Sequence, residues 1–190
     1  MFKKYWKFFV IFWSVVLVGI IGVFVFFWLI SAGKLGFMPT FEELENPNNR
    51  FASEVYFADG PIMNRYFEKE NRKYIEYREI PQSVIDALIA TEDVRFYDHS
   101  GVDVRGLFRV AKGLLTANTS AGGGSTISQQ LAKMLFPRES DLNVFELAIR
   151  KFREWVIAVR LEKSYTKEEI LTMYLNKYDF LNLAVGISSA

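Results

Sequence analysis

Two adjacent carboxylates, Glu92 and Asp93, stand close to the only histidine of the chain, His99. They follow an apolar helical pattern, and the electronegative C-terminus of a helix disfavours further negative charge. A glutamate in that position suits general acid or base chemistry. A solvated helix end with a locally satisfied histidine has the same pattern, so the residues alone leave both readings open.

A glycine-rich break leads into a second stretch in which hydrogen-bonding side chains recur at helical spacing. Ser125, Gln129 and Lys133 fall at i, i+4 and i+8, with Thr126 and Gln130 alongside. The start of such a helix offers free backbone N–H groups, which suit sugars and phosphates. Lys133 is too far from Ser125 for a Walker loop. An exposed polar helix face remains the alternative.

A third cluster runs from Arg150 to Glu154, with Lys151 beside it. Arg150 and Glu154 are four residues apart, a spacing typical of ordinary surface ion pairs. With one His and no Cys, a zinc hydrolase, a Ser-His-Asp esterase and a thiolate nucleophile lack their residues. The sequence also contains no Asp-x-Asp, which disfavours a metal-clamped nucleotide-sugar transferase.

Composition limits the protein class further. The chain has 190 residues, 51% hydrophobic and 24% charged, with a formal net charge of +1. This composition excludes a disordered chain, and the near-neutral charge gives no support for nucleic-acid binding. The length suits one domain with additional segments.

The run from Phe8 to Ile30 contains no ionisable side chain and, as a helix, is ~34 Å long, enough to cross a membrane. Lys3, Lys4 and Lys7 precede it, so the positive-inside bias predicts a cytoplasmic N-terminus and an extracytoplasmic remainder. A signal peptide cleaved near Gly33 is the alternative, but the apolar run is longer than is usual for one.

The predicted organisation is mainly α. We divide the chain into a cytoplasmic tail (1–7), a transmembrane helix (8–30), a juxtamembrane linker (31–52), a β-hairpin entry segment (53–80) and a helical catalytic domain (81–190). Asp59-Gly60 predicts the hairpin turn, and Tyr74 to Tyr77 a third short strand.

Helix starts in the last segment are indicated by Pro81, Asp103, Ser125-Thr126 and a capping box from Thr166 to Glu169. Apolar residues at core spacing predict one face of each helix in this segment: Val84, Ile85, Leu88, Ile89, Val104, Leu107, Phe108, Ala111, Leu114, Leu115, Ile127, Leu131, Leu135, Phe145, Ile149, Phe152, Val156, Val159, Ile170, Leu171, Tyr174 and Leu175.

Together, these stretches resemble the peptidoglycan glycosyltransferase family (glycosyltransferase family 51), the polymerase domain of class A penicillin-binding proteins. The first family motif is matched by Glu92-Asp93-x-x-Phe96-x-x-His99-x-Gly101, and the second by Gly123-x-Ser125-Thr126-Ile127-x-Gln129-Gln130-x-x-Lys133. The third is matched by Arg150-Lys151-x-x-Glu154, and the fourth by Lys167-x-x-Ile170-Leu171-x-x-Tyr174-Leu175-Asn176.

Some positions depart from the family pattern. Met134 stands where Asn is common, and Leu181 where Gly is frequent. The fifth family motif does not occur before Ala190, so we expect an N-terminal fragment of a class A penicillin-binding protein. The hairpin around Asp59-Gly60 resembles the entry segment of bifunctional members of that class. Whether this piece is active by itself is left open, as is a following transpeptidase domain.

The resemblance implies an inverting transfer that polymerises lipid II into glycan strands for cell wall biogenesis. It assigns Glu92 as the catalytic base and Glu154 as a second catalytic carboxylate. The residues implied to bind substrate are Asp93, Phe96, His99, Ser125, Thr126, Gln129, Gln130, Lys133, Arg150 and Lys151.

The resemblance further implies a lysozyme-like fold, truncated here, at the outer face of the plasma membrane. Expected partners are lipid II, the growing lipid-linked glycan, the membrane and other cell-wall synthesis proteins, without nucleic acid. No cofactor is certain, and a divalent cation (Mg²⁺ or Mn²⁺) is left open because some family members are metal-assisted. The alternatives are a non-catalytic membrane-anchored scaffold and a lysozyme-like glycan hydrolase.

Overall fold

The computed structural model describes residues 2–40, 43–44, 53–56, 62–66, 74–116, 123–136, 143–180 and 185–188. The chain forms two compact units, one of Met1–Met38 with Leu142–Val156 and one of Pro39–Asp141 with Ile157–Ala190. Helices dominate both units, which confirms the predicted mainly α class.

The first unit begins with one long apolar helix, α1 (Phe2–Ser31). Within it, Tyr5–Ser31 is long and apolar enough to cross a membrane, and none of its most apolar window is buried. The helix ends where Gly33 takes a left-handed φ of 70°, with Gly33 N–H donating to Ile30 O and Lys34 N–H to Leu29 O. This Schellman motif satisfies the last carbonyls of the helix. An apolar, unburied helix of this length is suited to a lipid environment rather than to a protein core.

The helix α5 (Val144–Ser164) contributes its residues up to Val156 to the first unit. There Phe152 packs edge-on against Phe26 and Phe27, with ring centroids 5.3 and 5.7 Å away. Phe145, predicted as a core residue, is 71% exposed, so that prediction is wrong. Nothing in the described structure covers the first turn of α5, where Val144 is 84% exposed as well.

The second unit contains a two-stranded antiparallel pair, β1 (Ser53–Tyr56) and β2 (Ile62–Tyr66). Glu54 lies opposite Arg65 in the strand register, and the register is irregular between Val55 and Tyr56. The predicted Asp59-Gly60 turn lies outside the described residues.

The third strand predicted at Tyr74 to Tyr77 does not form. Ile75 N–H donates to Asn176 Oδ1 at 3.0 Å, and Asn176 Nδ2 donates back to Ile75 O at 2.9 Å. One side chain thus takes both backbone groups that a neighbouring strand would need. The chain then turns into a 3₁₀ helix at Tyr77–Glu79.

Four further helices build the rest of the second unit. They are α2 (Gln82–Glu92), α3 (Val104–Leu115), α4 (Ile127–Leu135) and α6 (Lys167–Lys177), with a second 3₁₀ helix at Phe96–Asp98. Thr126 caps α4 by accepting from Gln129 N–H, and Thr166 and Glu169 form the predicted capping box of α6. The capping residues predicted from the sequence therefore do lie at the N-termini of these two helices.

The core of the second unit lies where α4 and α6 pack on each other and on the end of α5. Its fully buried side chains include Ile85, Phe96, Ile127, Leu131, Leu161, Ile170 and Leu171. Part of the predicted linker is fixed to α5, since Arg160 Nη1 donates to Pro39 O at 2.9 Å and the Tyr165 hydroxyl donates to Leu44 O. This core fixes the N-terminus of α4, which carries much of the predicted site.

Candidate active site

The end of α2 separates the two adjacent carboxylates. Glu92 is the last helical residue and is exposed, whereas Asp93 leaves the helix with φ −156° and is 7% exposed. The chain turns at this point, so the two side chains enter different environments.

Asp93 holds the start of α4. Its Oδ2 accepts from Ile127 N–H at 3.1 Å and lies 2.9 Å from His99 Nε2. Because His99 Nδ1 accepts from Gly101 N–H, the ring proton belongs on Nε2, which donates to Asp93. The buried Asp93 carboxylate is thereby bound by the positive N-terminus of α4 and by the N–H of the His99 ring.

Gly101 closes the loop that follows α2. Its carbonyl accepts from Thr126 Oγ1 at 2.7 Å and from Gln129 Nε2 at 3.2 Å. Its φ is +96°, and a Cβ added there would lie 2.8 Å from the carbonyl carbon of Ala158. The position therefore requires glycine for both its conformation and its space.

Lys167 secures the same loop from α6. Its Nζ donates to Phe96 O at 2.6 Å, to His99 O at 2.7 Å and to the Glu162 carboxylate at 2.8 Å, and lies 4.2 Å above the Phe96 ring. Ser128 Oγ also donates to Glu162. All three ammonium hydrogens have acceptors, so this lysine is a structural clamp. Lys167 has a place in the fourth motif, but the motif predicted no role for it.

Glu92 lies on the open side of this framework. Its Oε2 accepts from Gln130 Nε2 at 2.7 Å, and Gln130 Oε1 accepts from the Tyr174 hydroxyl at 3.1 Å. Lys133 lies one turn beyond Gln130 on α4 and is half-buried. Gln130 therefore contacts Glu92 with Lys133 one turn further along α4, whereas Gln129, which the spacing placed on the same face as Lys133, is fully buried.

A small open cleft of about 30 Å³ adjoins Glu92. Its lining includes Arg95, Arg109 and the backbone from Gly123 to Thr126. Arg109 Nη2 donates to Gly123 O at 3.4 Å. Arg109 lies between the recognised motifs, so no motif pointed to it, and its place on the predicted helix after Asp103 was the signal that could have found it.

Arg95 is committed to Asp103, with Nη2 and Nε at 2.5 and 3.1 Å from Oδ2. This contact holds the pKa of the Asp103 carboxyl below its usual range and raises the pKa of Arg95. Asp103 also accepts from Gly106 N–H, which confirms it as the cap of α3. Asp103 therefore compensates the charge of Arg95. Arg109, the other cation in the lining of the cleft, does not contact Asp103.

Four residues predicted to bind substrate have internal partners instead. Asp93 and Thr126 are 7% and 2% exposed, and Phe96 and Gln129 have no exposed surface. These four side chains hold the loop and α4 in place, and Asp93 and Thr126 also line the cleft beside Glu92. Their contact with substrate stays a prediction. His99 belongs with them, since both ring nitrogens are occupied.

Arg150, Lys151 and Glu154 lie together on α5 within the first unit. Glu154 is 8% exposed and pairs with Lys151 Nζ at 3.1 Å, rather than with Arg150 as the i, i+4 spacing suggested. The other predicted site residues, Glu92 and the loop and α4 residues, lie in the second unit.

The chain matches a known protein family. A family profile described as "Transglycosylase" matches residues 59–190, so the chain belongs to the transglycosylase family. Among relatives, it is 38% identical over 153 residues to penicillin-binding protein 1A of Escherichia coli K12, covering 80% of this chain and 17% of that protein.

Two further relatives agree. The chain is 38% identical to penicillin-binding protein 1A of Pseudomonas aeruginosa, covering 80% of the chain and 18% of the relative. It is 37% identical over 162 residues to that of Haemophilus influenzae, covering 85% of the chain and 18% of the relative. The chain thus spans less than a fifth of the length of the curated relatives it matches.

Proposed function

We propose that this chain carries the transfer site of a membrane-anchored peptidoglycan glycosyltransferase that polymerises lipid II. The observation that carries the proposal is Glu92, an exposed carboxylate beside a cleft, held at one oxygen by Gln130 Nε2 at 2.7 Å. Membership of the transglycosylase family and the likeness to penicillin-binding protein 1A support the reaction class.

In the proposed reaction, Glu92 takes the proton from the 4-hydroxyl of the acceptor GlcNAc as that oxygen attacks C1 of the MurNAc on the growing chain. The bond between C1 and the diphosphate oxygen breaks with inversion, and its electron pair leaves with the lipid diphosphate. The hydrogen bond from Gln130 engages only one carboxylate oxygen of Glu92, so the other can accept the proton.

The leaving diphosphate needs cations and hydrogen-bond donors. Within the second unit, Lys133 and Ser125 are the partly exposed residues of α4 and its entry that supply these groups. The family likeness further assigns Arg150 to diphosphate binding, Lys151 to substrate binding and Glu154 as a second carboxylate. These three roles remain predictions.

The described side chains do not support a site for a divalent cation. Among the residues that the structure describes, no three His, Asp or Glu side chains group to hold a metal ion.

The α1 helix is proposed as a membrane anchor with its N-terminus in the cytoplasm. Lys3, Lys4 and Lys7 precede the apolar segment, and the polar residues that follow belong outside. This orientation brings the domain to the leaflet that displays the lipid II headgroup. Lipid II, the growing glycan, the membrane and other cell-wall synthesis proteins are the proposed partners.

The test is polymerisation of labelled lipid II by the intact detergent-solubilised protein, with preformed glycan as a second substrate. The proposal predicts longer glycan chains from lipid II and no shortening of preformed glycan. Shortened glycan would instead support a hydrolase, and no change in either substrate would support a scaffold.

A further inference from the structure

The orientation of the Gln130 side-chain amide determines whether its nitrogen or its oxygen faces the Glu92 carboxylate. With Nε2 towards Glu92, the amide donates to the carboxylate at 2.7 Å. If the amide were reversed, Oε1 would face a carboxylate oxygen and two acceptors would repel each other. Gln130 therefore supports an ionised Glu92 only while something fixes its orientation.

Tyr174 is the group in position to do so. Its side chain is 2% exposed on α6, and its hydroxyl donates to Gln130 Oε1 at 3.1 Å. A phenol that donates to the amide oxygen requires Nε2 to point away from it, towards Glu92. The ring of Tyr174 is itself held by Tyr178, stacked at 5.3 Å with an interplanar angle of 25°.

We propose that Tyr174 is a positioning residue for the catalytic base, acting through Gln130 to hold an amide donor against the Glu92 carboxylate. The proposal rests on the glycosyl-transfer function proposed above. It gives Tyr174 a function in the reaction beyond filling the core between α4 and α6.

The protonation of the phenol supports this role. Burial, together with the nearby Glu92 carboxylate and Tyr178, raises the pKa of Tyr174 well above its ordinary value. Tyr174 therefore keeps its proton, and with it the donor to Gln130, throughout the working pH range. The other charged side chains around the cleft, Asp93, Arg95, Asp103 and Arg109, do not contact this hydroxyl.

The experiment compares Tyr174→Phe with Tyr178→Phe in the intact protein. Tyr174→Phe should lower kcat for lipid II extension about tenfold, the equivalent of one hydrogen bond, with KM changed less than twofold. Tyr178→Phe keeps the stacked ring and should leave both constants unchanged. A wild-type kcat in Tyr174→Phe would overturn the inference, as would equal losses in the two variants.

A double-variant comparison shows whether the effect passes through Gln130. In a Gln130→Leu background, Tyr174→Phe should lower kcat less than twofold, because the amide it orients is gone. A full tenfold loss in that background would overturn the relay and leave only a structural effect.

A readout that does not depend on activity separates this inference from the proposed function. In ¹⁵N-labelled protein, the side-chain amide signal of Gln130, assigned by its loss in Gln130→Leu, should move to the position of exposed glutamines in Tyr174→Phe. It should stay in place in Tyr178→Phe. An unmoved signal in Tyr174→Phe would overturn the relay even if the enzyme is active. If lipid II is not extended but the signal moves, the proposed function fails while the contact stands.

Discussion

Glu92 and Asp93 occupy consecutive positions, yet their carboxylates have opposite surroundings. Glu92 is exposed and accepts from one side-chain amide, whereas Asp93 is 7% exposed and is bound by a backbone N–H and by His99. The helix end between them is what directs one side chain to solvent and the other into the loop.

The same contrast extends to the groups behind each carboxylate. Behind Asp93 lies a closed framework in which Thr126 donates to Gly101 O and Lys167 donates to the loop carbonyls of Phe96 and His99. Glu92 lines an open cleft and accepts from Gln130, which is partly exposed on α4 together with Lys133. The difference indicates that the open side around Glu92 carries the reactive groups and that the closed side around Asp93 holds those groups in position. Changes on the two sides should therefore affect different measurements.

The largest effect is expected at Glu92. Glu92→Gln removes the proposed base but keeps an oxygen that can accept from Gln130. Lipid II extension should fall by about a hundredfold to ten-thousandfold, while the melting temperature stays within experimental error. Asp86→Asn, on the same helix and exposed, is the matched control. Extension at the wild-type rate would refute the assignment of the base.

On the closed side, Lys167→Met should act on stability. The change leaves the buried Glu162 carboxylate without its cation and two loop carbonyls without a donor. The free energy of unfolding should fall by about 3–5 kcal/mol in chemical denaturation. Lys163→Met, at an exposed position of α5, should change it little. Equal effects of the two substitutions would contradict the clamp role of Lys167.

Asp93→Asn tests the second carboxylate with a smaller change, which removes its charge and keeps its shape. The amide can still accept from Ile127 N–H or His99, but it loses the charge that attracts both donors. We expect a stability loss of about 1–3 kcal/mol. At a temperature where the variant is folded, the rate of lipid II extension should lie close to wild type. A loss of activity as large as that of Glu92→Gln in a stably folded variant would break the contrast between the two carboxylates.

Lys133→Ala removes a cation from the open side. Since the proposed role is diphosphate binding, KM for lipid II should rise about tenfold, with little change in stability. Lys112→Ala, an exposed lysine of α3, provides the comparison. If kinetics are unchanged in Lys133→Ala, the residue does not bind the diphosphate.

The smallest effect concerns alkaline pH. Because the pKa of Tyr174 is raised in the folded protein, the native state holds its proton where the unfolded chain releases it, above about pH 10. The free energy of unfolding should therefore decline as pH rises beyond that value. Tyr174→Phe should show a shallower decline in denaturant titrations between pH 9 and 11. An identical slope would indicate that Tyr174 titrates normally.

Much of the helical framework was predictable because its signals are local. Thr126, Thr166 and Asp103 bind backbone N–H groups within three residues, and these short-range bonds form wherever the helix forms. The third strand was predicted wrongly because Asn176, about a hundred residues away, claims the backbone of Ile75. Phe145 was placed in the core from periodicity, which identifies a face but not what covers it.

By itself, the sequence determined which residue types are present and their order: the carboxylate pair, the polar face of α4, the apolar helix and the family to which they belong. Only the tertiary structure decided that Phe96, Thr126 and Gln129 point inward, that Lys167 clamps the loop, and that Tyr174 reaches Gln130. The physical reason is that exposure and hydrogen-bond partners depend on which distant segments pack together, and a motif specifies neighbours along the chain but not those in space.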